Sequence, residues 1–485
     1  MPRSADPLRA PRKDAVLPRS HAVRWWAGGT ALVVAAATVG AVAWSARGPA
    51  ATDAAEPLPG STPVASAGPA LPAPDPAAPV PSAAGVDAAL AGPLGDPALG
   101  GDVRISVLDA ATGAPLTARQ AQAGAAPAST LKLLTAATAL ITLGPEARLR
   151  TGVGPGAVAG EYVLVGGGDA TLATVAGAGG PYPAEASLAE LAQRTASALV
   201  ARAGAPITLR YDARLFAPPT AAPGWPPGYV ATGVVAPVTA LSADQGRVAV
   251  GREARVPDPS LEAARRFAQA LTAAGVAVAG EPTPVDPAAP AAKPTAFVAS
   301  VESAPVSALV ERMLLTSDND LAEALAHLAA VATGQTADFA GGARATSTVL
   351  AGLGLDVAGL SLLDGSGLAG GSRVAPGLLT AMLARAYGPG APLLRTVLAV
   401  MAVGGFNGTL ADRFDTGPTA GGAGLVRGKT GTLTGTSTLA GSVETAEGRT
   451  LLFAFFAEAV PVGGTEGART ALDRAAAALA GCGCR

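Results

Sequence analysis

The chain has 485 residues, a length that accommodates two to four domains. Hydrophobic residues make up 49% but aromatics only 4%, so the apolar content is mostly Ala, Val and Leu and offers little stacking surface for bases or sugars. The net charge is −2 and no basic stripe is present, which argues against a nucleic-acid-binding protein, because phosphate contact needs clustered Lys and Arg.

Six cationic residues (Arg3, Arg9, Arg12, Lys13, Arg19 and Arg24) outnumber Asp6 and Asp14 in residues 1–24, which read as a cytoplasmic basic tail. Residues 25–44 carry no charge, and that length in a helix spans a hydrocarbon core of about 30 Å. Trp25, Trp26 and Trp44 fall where interfacial aromatic belts lie. The segment is read as a transmembrane anchor or as a signal segment cleaved after Ala41-Val42-Ala43; either way the remainder is exported. Residues 45–85 are Pro, Ala and Gly with almost no large apolar side chain, and read as a stiff linker.

Folded structure is expected from near Val86. Val103–Leu108 alternates as a strand, and Ala111-Thr112-Gly113 forms its turn. Ser129–Leu143 is an apolar helix bounded by Pro127 and by Gly144-Pro145. Tyr162–Val165 is a strand leading into Gly166-Gly167-Gly168-Asp169, which reads as a turn. Leu188–Ala203 and Leu261–Ala274 have helical periodicity. The uncharged stretch Leu215–Ala243 contains six prolines, which exclude a membrane helix and suggest an ordered loop. Two helices, Val306–Leu315 and Leu321–Ala330, flank Thr316-Ser317-Asp318-Asn319. Leu425–Thr430, Ser437–Glu444 and Thr450–Ala457 are three strands whose short links imply antiparallel pairing. A helix over Ala468–Ala480 closes the chain.

Scarcity makes single residues informative. Lys13, Lys132, Lys293 and Lys429 are the only lysines, Asn319 and Asn407 the only asparagines, and His21 and His327 the only histidines. With so little histidine, neither a Ser-His-Asp triad nor a His-based zinc site can be built. Cys482 and Cys484 lie at the extreme C-terminus, cannot staple the fold, and read as an incidental tail.

Three groups carry chemistry. Ser129 and Lys132, three residues apart at a helix start, share one face; the amine can take the hydroxyl proton if burial or a like charge lowers its pKa. Ser317-Asp318-Asn319 lies in an inter-helix loop, where it can present polar groups or cap the next helix. Lys429-Thr430-Gly431 ends a strand, with Thr432 next; a cation, hydroxyls and a glycine that admits a ligand suit a carboxylate. Two of four lysines and one of two asparagines thus fall into S-x-x-K, S-x-N and K-T-G, in that order.

This set is the signature of penicillin-binding proteins and serine β-lactamases. The chain resembles the D-alanyl-D-alanine carboxypeptidase/endopeptidase class, the low-molecular-mass class C penicillin-binding proteins of peptidase family S13. The resemblance includes Gly166–Asp169, Val238–Ser242, Ala322-Glu323, Asp364-Gly365-Ser366-Gly367-Leu368, and Gly408-Thr409-Leu410 with Arg413, and spans roughly residues 86–480. It implies an α/β (α+β) fold: a β-lactamase/transpeptidase-like antiparallel sheet with flanking helices and an all-helical subdomain. Residues 86–152 and 300–485 would form the catalytic domain, and 153–299 an inserted region.

Placed on this chain, the resemblance implies that Ser129 attacks the carbonyl of a peptide bond after D-Ala and that Lys132 is its general base. Ser317 would relay a proton to the leaving amine, and Asn319 would bind the acyl side. Lys429, Thr430 and Thr432 would hold the terminal carboxylate, with Gly431 allowing close approach. The N–H groups of Ser129 and Thr432 would form the oxyanion hole, and Lys429 would help keep Lys132 neutral. The implied substrates are peptidoglycan stem peptides ending in D-Ala-D-Ala, with β-lactams as inhibitors, no cofactor and no metal. A class A β-lactamase is disfavoured because E-x-x-x-N is absent around both asparagines. An esterase or transpeptidase on the same scaffold, and a tethered non-catalytic wall-binding protein, are the other readings. Asp364–Gly367 reads as a structural turn and His327 as a packed or surface helix residue.

Overall fold

The computed structural model describes residues 75–484 except 178–181, 200–204, 250, 289–295 and 389. The basic tail and the anchor or signal segment at 25–44 lie outside the described residues. Among the described residues no helix is long and apolar enough to cross a membrane.

The strands in chain order are β1 (Asp102–Asp109), β2 (Pro115–Arg119), β3 (Arg150–Pro155), β4 (Glu161–Val165), β5 (Thr208–Asp212), β6 (Thr283–Pro284), β7 (Ala299–Glu302), β8 (Ala402–Val403), β9 (Val426–Leu433), β10 (Thr436–Glu444) and β11 (Thr450–Glu458). They form two sheets. The first is antiparallel throughout, in the order β2-β1-β11-β10-β9-β8. Its central strand β11 is buried on both faces, so it reads as an apolar run rather than an alternation. Leu452, Ala454 and Phe456 face a core shared with the helices Lys132–Leu143, Val306–Thr316, Asn319–Ala332 and Pro376–Tyr387. Leu451, Phe453, Phe455 and Ala457 face a second core with the helices Ala83–Leu94 and Thr465–Ala480. The sheet is therefore sandwiched between helical layers, an α/β arrangement as expected.

The second sheet, in the order β6-β5-β4-β3-β7, is built from residues between Arg150 and Glu302. It is mixed: β3 pairs antiparallel with β4 and β7, while β4–β5 and β5–β6 are parallel. The parallel step from β4 to β5 is made by a crossover that carries the helix Leu188–Leu199, as parallel pairing requires. Val153, Leu164, Leu191, Leu209, Phe267 and Leu271 form its separate core.

Two sequence expectations change here. The linker does not run to residue 85. Ala78 is buried, Ser82 caps the helix Ala83–Leu94, and the Arg449 guanidinium donates to the carbonyls of Asp75, Pro76 and Ala78 at 3.0, 3.0 and 3.1 Å. A segment without large apolar side chains is thus held by its backbone carbonyls. Nor is the C-terminal tail incidental: Cys482 and Cys484 are disulfide-bonded to each other, Cys482 is buried, and the Cys484 carbonyl accepts from Ser82 N–H at 2.6 Å. The bond closes no long loop. The stretch 215–243 is the expected ordered loop, with one short helix, Gly228–Ala231. His327 is packed between Phe216 and Phe339, with ring centroids 4.9 and 4.8 Å away.

Candidate active site

Ser129 does not sit in regular α-helix. Residues Ala128–Leu131 form a 3-10 turn, and the α-helix begins at Lys132. Ala128 has a φ of 45°, unfavourable for a residue with a Cβ. Three contacts hold it there. The Pro127 carbonyl accepts from the hydroxyls of Thr438 (2.9 Å) and Thr130 (2.6 Å). Gly431 of β9 packs so closely that a Cβ would lie 2.9 Å from both Ala128 Cβ and Ser129 N. Gly367, at φ 83°, packs so that a Cβ would lie 1.9 Å from the Ala128 carbonyl oxygen.

The Lys132 amine donates three hydrogen bonds: to Ser129 Oγ at 3.0 Å, Asn319 Oδ1 at 2.7 Å and the Ser366 carbonyl at 2.8 Å. Three acceptors match the three N–H groups of the ammonium form; on deprotonation two N–H donors remain and a lone pair is freed, which can face Ser129 Oγ. The Asn319 amide donates in turn to the Val234 carbonyl at 2.9 Å. Ser317 is the C-cap of the helix Val306–Thr316, in the left-handed region at φ 58°. Asp318 then caps the helix Asn319–Ala332 by accepting from Leu321 N–H at 3.0 Å. The aspartate caps the helix, while its neighbours Ser317 and Asn319 accept from the Lys429 and Lys132 amines.

The Lys429 amine donates to Ser317 Oγ and to the Thr430 carbonyl, each at 2.9 Å. The Thr430 hydroxyl donates to Thr409 Oγ1 at 3.1 Å. Thr432 is exposed near the end of β9. The register of β9 on β10 places Lys429 opposite Ala440 and Gly431 opposite Thr438. Ser129, Lys132, Ser317, Asn319, Lys429, Thr430 and Gly431 are therefore joined by direct contacts beside β9 of the first sheet.

Both lysines are fully buried. Burial pulls the Lys132 amine from its ordinary value down to about 8, against the opposing pull of Glu323, Asp364, Asp318 and Asp320. Lys429 is lowered well below its ordinary value, first by burial and then by the charge of Lys132 and of Arg413. Burial is the first cause of both shifts, and the like charges of Lys132 and Lys429 disfavour one another mutually. A buried amine next to a hydroxyl, brought from the ordinary lysine range to about 8, reaches its neutral, proton-accepting form close to neutral pH, as an activated serine nucleophile needs.

Sequence reasoning missed the supports of this site. The turn Asp364–Gly367 supplies the Ser366 carbonyl to Lys132 and is not merely structural. Glu323 accepts from Gly365 N–H at 2.9 Å and Ser366 N–H at 2.8 Å. Asp364 accepts from Gly367 and Ala369 N–H and from Trp225 Nε1, at 3.0, 2.7 and 2.8 Å. The only available signal was an Asp-Gly-Ser-Gly run with a buried-helix glutamate elsewhere. Beside the site, a cavity of about 490 Å³ lies between residues 316–320 and the second-sheet region, lined by Glu185, Arg247 and Arg255 among others. Among the described residues no cluster of three or more His, Cys, Asp or Glu could hold a metal.

Comparison with known proteins bears on most of the chain. It matches the family described as D-Ala-D-Ala carboxypeptidase 3 (S13) over residues 86–255 and 251–479. It is 37% identical to carboxypeptidase DacB of Mycolicibacterium smegmatis, covering 89% of this chain and 92% of that protein. It is 38% identical to a carboxypeptidase of Mycobacterium tuberculosis, covering 83% and 85%. The crystal structure of penicillin binding protein 4 (dacB) from Haemophilus influenzae superposes with a TM-score of 0.63 at 19% identity, over 77% of this chain and 95% of that one, which shows a common fold.

Proposed function

Because the chain belongs to the D-Ala-D-Ala carboxypeptidase 3 (S13) family, we propose that it is a serine-type D-Ala-D-Ala carboxypeptidase acting on peptidoglycan stem peptides through an acyl-enzyme on Ser129. The observation that carries this reading is the fully buried Lys132 amine 3.0 Å from Ser129 Oγ. Neutral Lys132 takes the Ser129 proton as Oγ attacks the carbonyl carbon of the D-Ala-D-Ala bond. The carbonyl electron pair moves onto oxygen, beside the N–H groups of Ser129 and Thr432. As the intermediate collapses, the C–N bond breaks and the proton taken up by Lys132 passes by way of Ser317 to the leaving amine, which returns Lys132 to its neutral form. Water then attacks the ester carbonyl as Lys132 takes its proton, and that proton returns to Ser129 Oγ when the ester C–O bond breaks. Asn319 binds the acyl side by exchanging its Val234 partner for substrate. Lys429, Thr430 and Thr432 hold the terminal carboxylate, and Gly431 lets it approach β9.

A β-lactam carries an amide and a carboxylate in the same relation, so it acylates Ser129 and inhibits. The reaction belongs outside the cytoplasm, where stem peptides are found, with residues 25–44 as the tether or export segment. Residues 86–152 and 300–485 form the catalytic domain in this reading, and 153–299 an insertion. The test is incubation with a fluorescent penicillin and a denaturing gel, comparing the native chain with Ser129→Ala. A covalent band lost in the variant supports the assignment; no band from folded native protein removes it and favours a tethered binding role.

A further inference from the structure

We propose that Glu323 is a positioning residue for Lys132, holding the 364–367 turn so that the Ser366 carbonyl accepts from the lysine amine. This rests on the reading of Ser129 as nucleophile and Lys132 as its base. Glu323 lies one helical turn after Asn319 on the helix Asn319–Ala332, so the two side chains share a face. One helix therefore supplies two of the three ties on Lys132. Asn319 binds the amine directly at 2.7 Å, and Glu323 acts through the turn.

The peptide geometry is specific. Each carboxylate oxygen takes one backbone N–H, Oε2 from Gly365 and Oε1 from Ser366. Ser366 is thus gripped at both ends, its N–H by Glu323 and its carbonyl by Lys132. Gly365 sits directly on the helix: a Cβ there would lie 2.6 Å from Ala326 Cβ and 3.0 Å from the Ala322 carbonyl oxygen. Thr135, one turn after Lys132 on its helix, donates to the Gly365 carbonyl at 2.6 Å. Two accepted N–H bonds need both carboxylate oxygens as acceptors, which an amide cannot provide. A wholly buried carboxylate is costly: burial and the neighbouring Asp364 raise Glu323 to about 8, and the two N–H bonds and Lys132 offset that rise only in part.

The charged and titratable groups around this bay are Lys132 from its helix, Asp364 from the turn, Asp318, Asp320 and His327 from the Glu323 helix and its cap, and Lys429 from β9. Among the carboxylates that oppose the lowering of the Lys132 pKa, Glu323 comes first. Glu323, raised to about 8, ionises over the same range as Lys132; where it is ionised, removing its charge makes Lys132 easier to deprotonate, even as it loosens the turn. The two effects are separable.

The experiment measures the rate of Ser129 acylation by fluorescent penicillin against pH for the full chain, Glu323→Gln and Glu323→Asp, with melting temperature as the folding control. The Gln variant is expected to acylate about tenfold or more slowly at its plateau, as for a buried donor left unpaired, with its acid limb moved to lower pH. The Asp variant keeps the charge but is too short to span both N–H groups, so its rate falls while its limb stays. A folded Gln variant with the native rate, or with a lowered rate and an unmoved limb, overturns the proposal. If the Gln variant does not fold, a native acylation rate in the Asp variant overturns it equally. Failure of the native chain to be acylated strikes the Ser129 assignment instead.

Discussion

Lys429 Nζ lies 2.9 Å from Ser317 Oγ although 112 residues separate them. The pair matches the Lys132–Ser129 contact at 3.0 Å, so each serine hydroxyl in the site has its own buried amine. The two are not equivalent. Lys132 is lowered to about 8 against the pull of four carboxylates, whereas the coulombic influences on Lys429 are the cations Lys132 and Arg413, which lower it further. In the proposed mechanism Lys132, which keeps a proton affinity useful near neutral pH, is the base, and Lys429 gains charge when a substrate carboxylate arrives.

The pH dependence follows from that assignment. Lys132 serves as a base only when neutral, and its amine titrates at about 8. Below that pH the neutral fraction falls tenfold per unit, so acylation of Ser129 should rise with pH and level off above about 8. Stopped-flow labelling with fluorescent penicillin over the range checks this. A rate that is flat through the range, or that climbs only near the ordinary lysine value, contradicts the assignment.

Gly431→Ala should damage both stability and acylation. The new Cβ would lie 2.2 Å from Thr438 Oγ1 and 2.9 Å from Ser129 N, and β9 cannot retreat without breaking its register with β10. Overpacking of this kind costs about 1–3 kcal/mol. The expected result is a lower melting temperature together with weak labelling of Ser129. Normal labelling would mean that β9 does not press on the serine turn.

The elements near the motifs were legible in the sequence because local pattern decides them. The helix expected over 261–274 is Pro259–Ala273, and the strand expected at 103–108 is Asp102–Asp109. The three motifs were legible because lysine and asparagine are scarce. What was not legible depends on partners far along the chain. Asp364–Gly367 reads correctly as a turn, but its Ser366 carbonyl meets Lys132 across 234 residues, and no periodicity reports that. Ser129 was expected in helix; the 3-10 turn there follows from Ala128 at φ 45°, set by β9 and Gly367 rather than by local propensity. The parallel pairing of β4 with β5 was also hidden, because both strands have five residues and carry no signal of direction.

Asp109→Ala should release the segment that leads into the domain. Asp109 and Arg449 form a buried ion pair, with Arg449 Nη2 donating to Asp109 Oδ1 at 2.9 Å. Burial works to raise the Asp109 carboxyl, but Arg449 and Thr112 together hold it below its ordinary range. Removing one partner of a buried pair costs about 3–5 kcal/mol, and here the stranded guanidinium is also the group that binds the carbonyls of Asp75, Pro76 and Ala78. The variant should melt earlier and be cut by protease near residue 78 under conditions where the native chain is not. Equal protease resistance would show that the helix Ala83–Leu94 alone anchors the segment.

Ser317 carries a conflict between stability and chemistry that two variants can separate. Its φ of 58° is unfavourable for a side chain with a Cβ, and such strain at a functional turn costs of order 1–3 kcal/mol. Ser317→Gly removes the strain and the hydroxyl together, whereas Ser317→Ala removes only the hydroxyl. Both should lose hydrolysis of D-Ala-D-Ala peptides, since neither can relay a proton to the leaving amine. The Gly variant should nevertheless melt higher than the Ala variant, and the gap between them reads the backbone cost of holding Ser317 beside Lys429. Calorimetry on the two proteins measures that gap. If both melt alike, the left-handed turn is not strained and the hydroxyl is held there at no cost; if the Gly variant keeps full peptidase activity, the proton reaches the leaving amine by another route.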